Sequence, residues 1–328
     1  MTIQEIFKSF NKLNVLIIGD VMIDAYMWGQ VSRISPEAPV PIVAVNKKEN
    51  RLGGAANVAL NVQAMGATPI LCAVIGDDEH AITFNSLLKK QKLSAEGIIK
   101  GKKRVTTVKT RIIGNHHQML RIDEEIESPI DKKETEDLFE KIQKLITSKK
   151  IDVIIFEDYD KGVITPELIS KVVKTANQKN IPTVVDPKKK NFMAYSGVSL
   201  FKPNLKELKE GLKLDFNVNN TTELSKIVDS FIKKQKIATA LITLSEKGVY
   251  IHTQKTRSLI PAHIRDITDV SGAGDTVVSL AALCYALKLD PTTTATLSNL
   301  AGGLVCEKVG VVPVDKQQLL KEAIKLKL

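Results

Sequence analysis

Cysteine is scarce in this chain, and the few present stand apart. Cys72, Cys284 and Cys306 each lie alone within an apolar run. Lone thiols of that kind read as buried and free, which excludes a disulfide framework and a zinc site. Long apolar stretches are missing too, since none approaches the ~20 residues of a membrane span. The opening segment MTIQEIFKSFNKLN has acidic and polar residues and no continuous apolar core, so it does not read as a secretory signal. The cytoplasm is therefore expected, with no membrane partner. Aromatic residues make up only 5% of the sequence, so its net charge of +10 comes without aromatic-interleaved basic arrays. No nucleic-acid partner is expected. Short clusters at Lys102-Lys103-Arg104 and Lys188-Lys189-Lys190 instead suggest a field that favours small anions. No linker, low-complexity segment or long repeat interrupts the 328 residues, and a single domain over 1–328 is expected.

What is present is a rhythm of strand and helix. Apolar runs at 14–20, 70–75, 153–156 and 183–185 alternate with helical patterns at 80–90, 134–147 and 167–178. That order calls for an α/β fold with a mostly parallel sheet covered on both faces. Residues 26–45 are β-like, with Pro36, Pro39 and Pro41 confined to edges and turns. Residues 107–112 and 118–122 flank Gly114-Asn115, a hairpin signal. Residues 53–66 pass from a glycine pair into an amphipathic helix, and 240–244, 294–308 and 316–326 add a strand and two helices.

The stretch Asp269-Val270-Ser271-Gly272-Ala273-Gly274-Asp275 carries the most chemistry. It is a small-residue turn opening an apolar helix, where unpaired N–H groups form an anion site. Asp275 would be unwelcome beside phosphate except as a proton acceptor for an incoming nucleophile. An N-capping turn with an acidic first turn is the structural alternative. Asp20 ends the 14–20 run and Asp24 lies four residues on, at the end where open α/β sheets place ligands. Carboxylates there suit sugar hydroxyls, although a turn-forming Asp is the bland reading.

The heptad resembles the C-terminal signature of the ribokinase-like (PfkB) sugar kinases, usually Asp-Thr-x-Gly-Ala-Gly-Asp. Gly53-Gly54-Ala55-Ala56-Asn57 resembles the family's other signature. The resemblance implies a three-layer ribokinase-like sandwich with a small β-sheet lid, here near 26–45 and 104–121. It implies Asp275 as base, with Gly272, Ala273 and Gly274 as an anion hole, and Asp20, Asp24, Gly53, Gly54 and Asn57 on the sugar. ATP phosphates are expected on Asn204, Leu205, Lys206 and Glu207, with Glu207 holding Mg²⁺ through water. Asn204 and Glu207 also read as a capping box. Thr243, Ser245, Gly248 and Asn299 match nucleotide-side positions, and Asp269 with Ser271 a monovalent cation site such as for K⁺. Relatives pair their lids, so a homodimer is expected. A rival reading is a silent sugar- or nucleotide-binding regulator on the same fold.

A narrower resemblance, to the family's kinases of ADP-heptose biosynthesis, rests on Ser32-Arg33-Ile34-Ser35-Pro36-Glu37-Ala38-Pro39-Val40-Pro41, Lys109-Thr110-Arg111 and Gln118-Met119-Leu120-Arg121. Glu157-Asp158-Tyr159-Asp160-Lys161-Gly162 and Asp186-Pro187-Lys188 fit it too. It implies a heptose 7-phosphate substrate, with other sugars or nucleosides as alternatives. Arg33, Arg111 and Arg121 are its candidate phosphate ligands, since guanidinium meets phosphate bidentately. Lys161 and Lys188 rank below them. Ser271 for the usual Thr, Ala25 for a frequent arginine and Leu52 for a frequent proline depart from the pattern. Bifunctional relatives append a nucleotidyltransferase with a His-x-x-His motif, which this sequence lacks, so a kinase alone is expected.

Overall fold

The computed structural model describes residues 1–263 and 265–326. The first part of the chain forms α1 (Ile3–Phe10), β1 (Asn14–Gly19), β2 (Val21–Ile34), β3 (Pro41–Gly54), α2 (Ala55–Ala64), β4 (Thr68–Gly76), α3 (Glu79–Lys90) and β5 (Gly97–Gly101). The middle adds β6 (Thr107–Gly114), β7 (His117–Glu124), α4 (Lys132–Ser148), β8 (Val153–Glu157), α5 (Pro166–Gln178), β9 (Thr183–Asp186), β10 (Leu200–Phe201) and α6 (Leu205–Leu212). The last part supplies α7 (Thr221–Gln235), β11 (Thr239–Thr243), β12 (Val249–Thr253), β13 (Arg257–Ile260), α8 (Ala273–Ala286), α9 (Pro291–Val305) and α10 (Lys316–Lys325).

The nearly continuous apolar runs become a nine-stranded sheet in the order β13-β12-β11-β10-β9-β8-β1-β4-β5. In that order every neighbouring pair from β11 across to β5 is parallel, and only β12 and β13 join antiparallel at one edge. Parallel strands are buried on both faces, which is why their sequences do not alternate. Along β1, Val15 and Ile17 enter one core with α2, α8 and α9, while Leu16 and Ile18 enter the other with α4, α5 and α7. The sheet therefore lies between two helix layers, as expected. Helix α2 departs from expectation. It is buried at Ala55, Ala56, Asn57, Val58, Ala59, Asn61 and Val62, not amphipathic, because it is wedged between the sheet and α8. The neighbouring α8–α9 pair is packed as closely: a Cβ on Gly302 of α9 would meet Val277 of α8 at 2.6 Å.

The second sheet, β3-β2-β6-β7, is the expected lid, with longer strands than the sequence suggests. Its roots continue directly from β1 through Asp20 and into α2 through Gly53-Gly54. The β6–β7 turn falls at Asn115-His116, one residue beyond the expected pair. Both have positive φ, 50° and 67°, as a two-residue hairpin turn requires. Among the described residues, no helix is long and apolar enough to cross a membrane.

Candidate active site

Helix α8 begins at Gly272, whose φ of 79° lies in the left-handed region that glycine tolerates. That turn opens the helix and brings Asp275 into its first turn, 4% exposed. Asn57 Nδ2 donates to Asp275 Oδ2 at 2.6 Å, and the Tyr159 hydroxyl donates to Oδ1 at 2.7 Å. Burial pushes the Asp275 carboxyl up to about 6, against the lowering effect of those two donors. Asn57 is positioned through Asn61, which donates to its carbonyl at 3.0 Å and accepts from Thr276 at 3.0 Å. The Asn57 Oδ1 atom is buried and has no hydrogen-bond partner among the described residues.

Beneath this helix end lie more charges. Carboxylate oxygens of Glu157, Asp186 and Asp275 are within 4.8 Å of one another. Buried Lys202 sits 2.9 Å from Asp186, and Lys188 approaches Asp186 at 3.8 Å while also bonding Glu207. These ammonium groups offset much of the cluster's negative charge. Burial and then the neighbouring Asp186 and Asp275 charges push Glu157 well above the usual carboxylate range. A Cβ at Gly274 would stand 3.6 Å from Asp186 and 3.8 Å from Lys202, so the glycine turn directly overlies this pair.

The lid supplies the opposite wall. Alternation along its strands puts Asp24, Tyr26, Arg51, Lys109, Arg111 and Arg121 on one face. Arg111 bonds the buried Asp24 at 2.6 Å and lies over the Tyr26 ring at 5.3 Å. Gly53 makes room for this pair, since a Cβ there would stand 2.1 Å from Asp24 Oδ2. Gly54, at φ 59°, lets Ala55 N–H reach the Asp20 carbonyl at 2.9 Å. Arg121 shares the face and is paired bidentately to Asp123 at 2.8 and 2.6 Å.

Several residues sit apart from their expected tasks. Asp20, expected on the sugar, has both oxygens committed to the N–H groups of Tyr159, Lys161 and Val163 at 2.9–3.1 Å. It organises the loop after β8. Arg33 is exposed near the lid tip, carried away from Asp24 by the length of β2. Lys161 is paired to Glu125 and Glu127 at 2.7 and 2.8 Å. On the nucleotide side, Asn204 and Glu207 form a full capping box on α6, followed by half-buried Leu205 and exposed Lys206. Thr243 bridges to Asn204, and Ser245 has a positive φ of 53°. Gly248 permits a turn in which a Cβ would stand 2.0 Å from the Ile260 carbonyl. Asn299 donates to the Pro261 carbonyl at 2.9 Å. Asp269 accepts from Ser271 N–H at 2.9 Å and Gly310 N–H at 2.8 Å. Burial opposes its ionisation, yet these bonds hold it below its ordinary value.

Sequence reasoning missed Tyr159, Lys202 and Arg51 as site residues. Arg51 lies over Tyr26 at 4.9 Å and would meet a Cβ on Gly310 at 2.7 Å, linking the lid to the loop before α10. Only its register opposite Asp24 in the β2–β3 hairpin could have pointed to it.

Comparison with known proteins agrees with this geometry. The model of the pfkB family carbohydrate kinases matches residues 12–317. A Helicobacter pylori (strain HPAG1) protein described as bifunctional protein HldE is 39% identical over 300 residues, 90% of this chain and 63% of that protein. A Caulobacter relative with the same description is 36% identical over 321 residues, 97% of this chain and 64% of its own length. The chain thus spans less than two-thirds of the length of these curated relatives. Escherichia coli phosphofructokinase-2 in complex with potassium superposes with a TM-score of 0.77 at 15% identity, covering 96% of this chain and 99% of that one. Arabidopsis thaliana ribokinase complexed with ribose and ATP gives 0.70 at 14% identity, covering 94% and 99%. These likenesses establish the ribokinase-like fold. With the family match over nearly its whole length, this chain belongs to the pfkB family of ATP-dependent carbohydrate kinases.

Proposed function

We propose that this kinase phosphorylates D-glycero-β-D-manno-heptose 7-phosphate at its anomeric hydroxyl, giving the 1,7-bisphosphate for ADP-heptose and lipopolysaccharide biosynthesis in the cytoplasm. The observation that carries this reading is the lid face, where Asp24, apt for hydroxyls, is flanked by Arg51, Arg111 and Arg121, apt for a phosphate. The likeness to bifunctional HldE proteins and the Arg33–Pro41 stretch support the same substrate.

Phosphoryl transfer is governed by positioning and charge stabilisation. Asp24 and the free Oδ1 of Asn57 orient the sugar, and Asp275 takes the proton of the attacking hydroxyl. The N–H groups at Gly272, Ala273, Gly274 and Asp275 offset charge on the γ-phosphoryl. Lys188 and Lys202 add positive charge beneath it. Glu207 would hold Mg²⁺ through water. Its carboxylate already faces the Lys188 ammonium, and its hard oxygens suit a reluctantly dehydrated ion. Bound Mg²⁺ neutralises phosphate charge on ATP. Asp269, kept ionised, with the Ser271 hydroxyl fits a monovalent cation such as K⁺.

The lids are proposed to pair in a homodimer. Ile34, Val40, Val45, Met119, Leu120 and Ile122 are all lid residues and 42–61% exposed, an apolar load that a second copy would cover. Sedimentation at micromolar concentration should give twice the 36.1 kDa chain mass, and a species at the chain mass would refute the pairing.

The substrate is tested by a panel of sugars and sugar phosphates with ATP and Mg²⁺, followed by ADP release. Heptose 7-phosphate should give the highest kcat/KM. A higher value for ribose, fructose 6-phosphate or a nucleoside would overturn the assignment.

A further inference from the structure

We propose that Tyr159 is the positioning residue of the base: its hydroxyl orients the Asp275 carboxylate and stabilises its anionic form. The inference rests on the kinase reading, in which Asp275 accepts the proton. A carboxylate offers about four lone-pair sites. Asn57 fills one on Oδ2 and Tyr159 one on Oδ1, so the carboxylate is fixed at both oxygens and each keeps a free site. A phenol donating to a carboxylate at 2.7 Å is a charge-assisted bond, stronger than a neutral one.

Tyr159 is itself held in place. Its N–H donates to Asp20 Oδ2 at 2.9 Å, and the Lys188 ammonium lies over its ring at 5.5 Å. Asp20 thus acts at one remove, by shaping the loop that presents the tyrosine. The charged groups around Asp275 come from several elements. Glu157 ends β8, Asp186 ends β9 with Lys188 just beyond it, and Lys202 follows β10. The two acids disfavour an ionised Asp275 and the two lysines favour it. Among the described residues only Asn57 and Tyr159 donate hydrogen bonds directly to its carboxylate. Burial, and then the Asp186 charge, work against ionisation, so losing one donor shifts the balance toward the protonated, inactive form. In the step served, the sugar hydroxyl proton passes to Asp275. The sugar oxygen bonds the γ-phosphorus, and the bond to the β-phosphate oxygen breaks, releasing ADP.

The test is Tyr159→Phe, with kcat measured from pH 5 to 9 at saturating ATP and the best sugar substrate of the wild type. The acid limb should move up by about one to two pH units, the worth of one charge-assisted bond. Near pH 7 kcat should fall about two- to tenfold and recover toward wild type at pH 9, with both KM values within about twofold. A uniform loss at every pH, or a raised sugar KM with an unmoved limb, would overturn the proposal. Carboxyl ¹³C NMR of aspartate-labelled protein, with the Asp275 signal assigned by Asp275→Asn, gives a readout independent of turnover. Its midpoint should rise in Tyr159→Phe, and an unchanged midpoint counts against the proposal. A wild-type protein that turns over no sugar would refute the kinase reading, while the NMR titration still judges Tyr159.

Discussion

Strand β8 has no exposed residue, whereas strand β7 has no buried one. The first belongs to the body, where apolar side chains fill both faces of a parallel sheet. The second belongs to the lid, which is tied by charge: Lys109 bonds Asp123 at 3.0 Å and Glu125 at 2.6 Å, and Arg121 grips Asp123. The difference follows the division of labour. In the proposed mechanism the group that takes the proton must be fixed and dry, and Asp275, with Asn57 and Tyr159 bonded to it, stands on the body. The groups proposed to choose the sugar must admit and release it, and Arg51 and Arg111 stand on the lid. Asp24, at the lid's root, joins the two.

The largest effect should come from the body. Asp275→Asn is expected to lower kcat by roughly 10²–10⁴, the range for a lost general base, with ATP affinity nearly intact. Near-wild-type turnover would remove Asp275 from that role. Packing draws the same contrast in stability. Ile155→Ala, fully buried in the body, should cost about 2–5 kcal/mol in denaturant unfolding. Ile122→Ala, 44% exposed in the lid, should stay within about 0.5 kcal/mol and instead weaken the dimer. Equal costs would erase the distinction.

Acid should separate the regions more gently. Asp20 and Asp275 are pushed up to about 6, chiefly by burial. A carboxyl raised in the folded state adds stability below its unfolded value near 4, and that contribution is lost as pH rises through 6. The lid acids behave oppositely. The bond to Arg121 holds Asp123 far below its ordinary value, so its contribution persists above about pH 4 and fades only in stronger acid. Between pH 7 and 5 the body's unfolding midpoint should therefore rise while hydrogen-exchange protection of β7, corrected for intrinsic rates, stays level. A falling body midpoint in that window would contradict the assigned directions.

Much of this was legible because local pattern and local chemistry coincide. Glycine pairs, strand-end acids and the Gly-Ala-Gly turn announce themselves within a few residues, and the strand–helix rhythm announces the sheet. The partner of Tyr159 did not, because the tyrosine meets Asp275 across 116 residues and its loop motif says nothing of that contact. Asp20 misled for the complementary reason. A strand-end carboxylate suits a ligand or a loop equally, and only the fold brings three backbone amides to it. Arg33 stands exposed near the far end of β2, since sequence shows that a strand is basic but not how far its tip extends.

The division between body and lid is tested most directly by the kinetics of Arg111→Ala on a heptose with and without its 7-phosphate. The wild type should prefer the phosphorylated sugar, and the variant should lose about 10- to 100-fold on that sugar, the worth of a charged hydrogen bond. It should lose far less on the unphosphorylated one, with the ATP KM unchanged. Equal losses on both sugars, or a collapse of ATP binding with the sugar preference intact, would contradict the account.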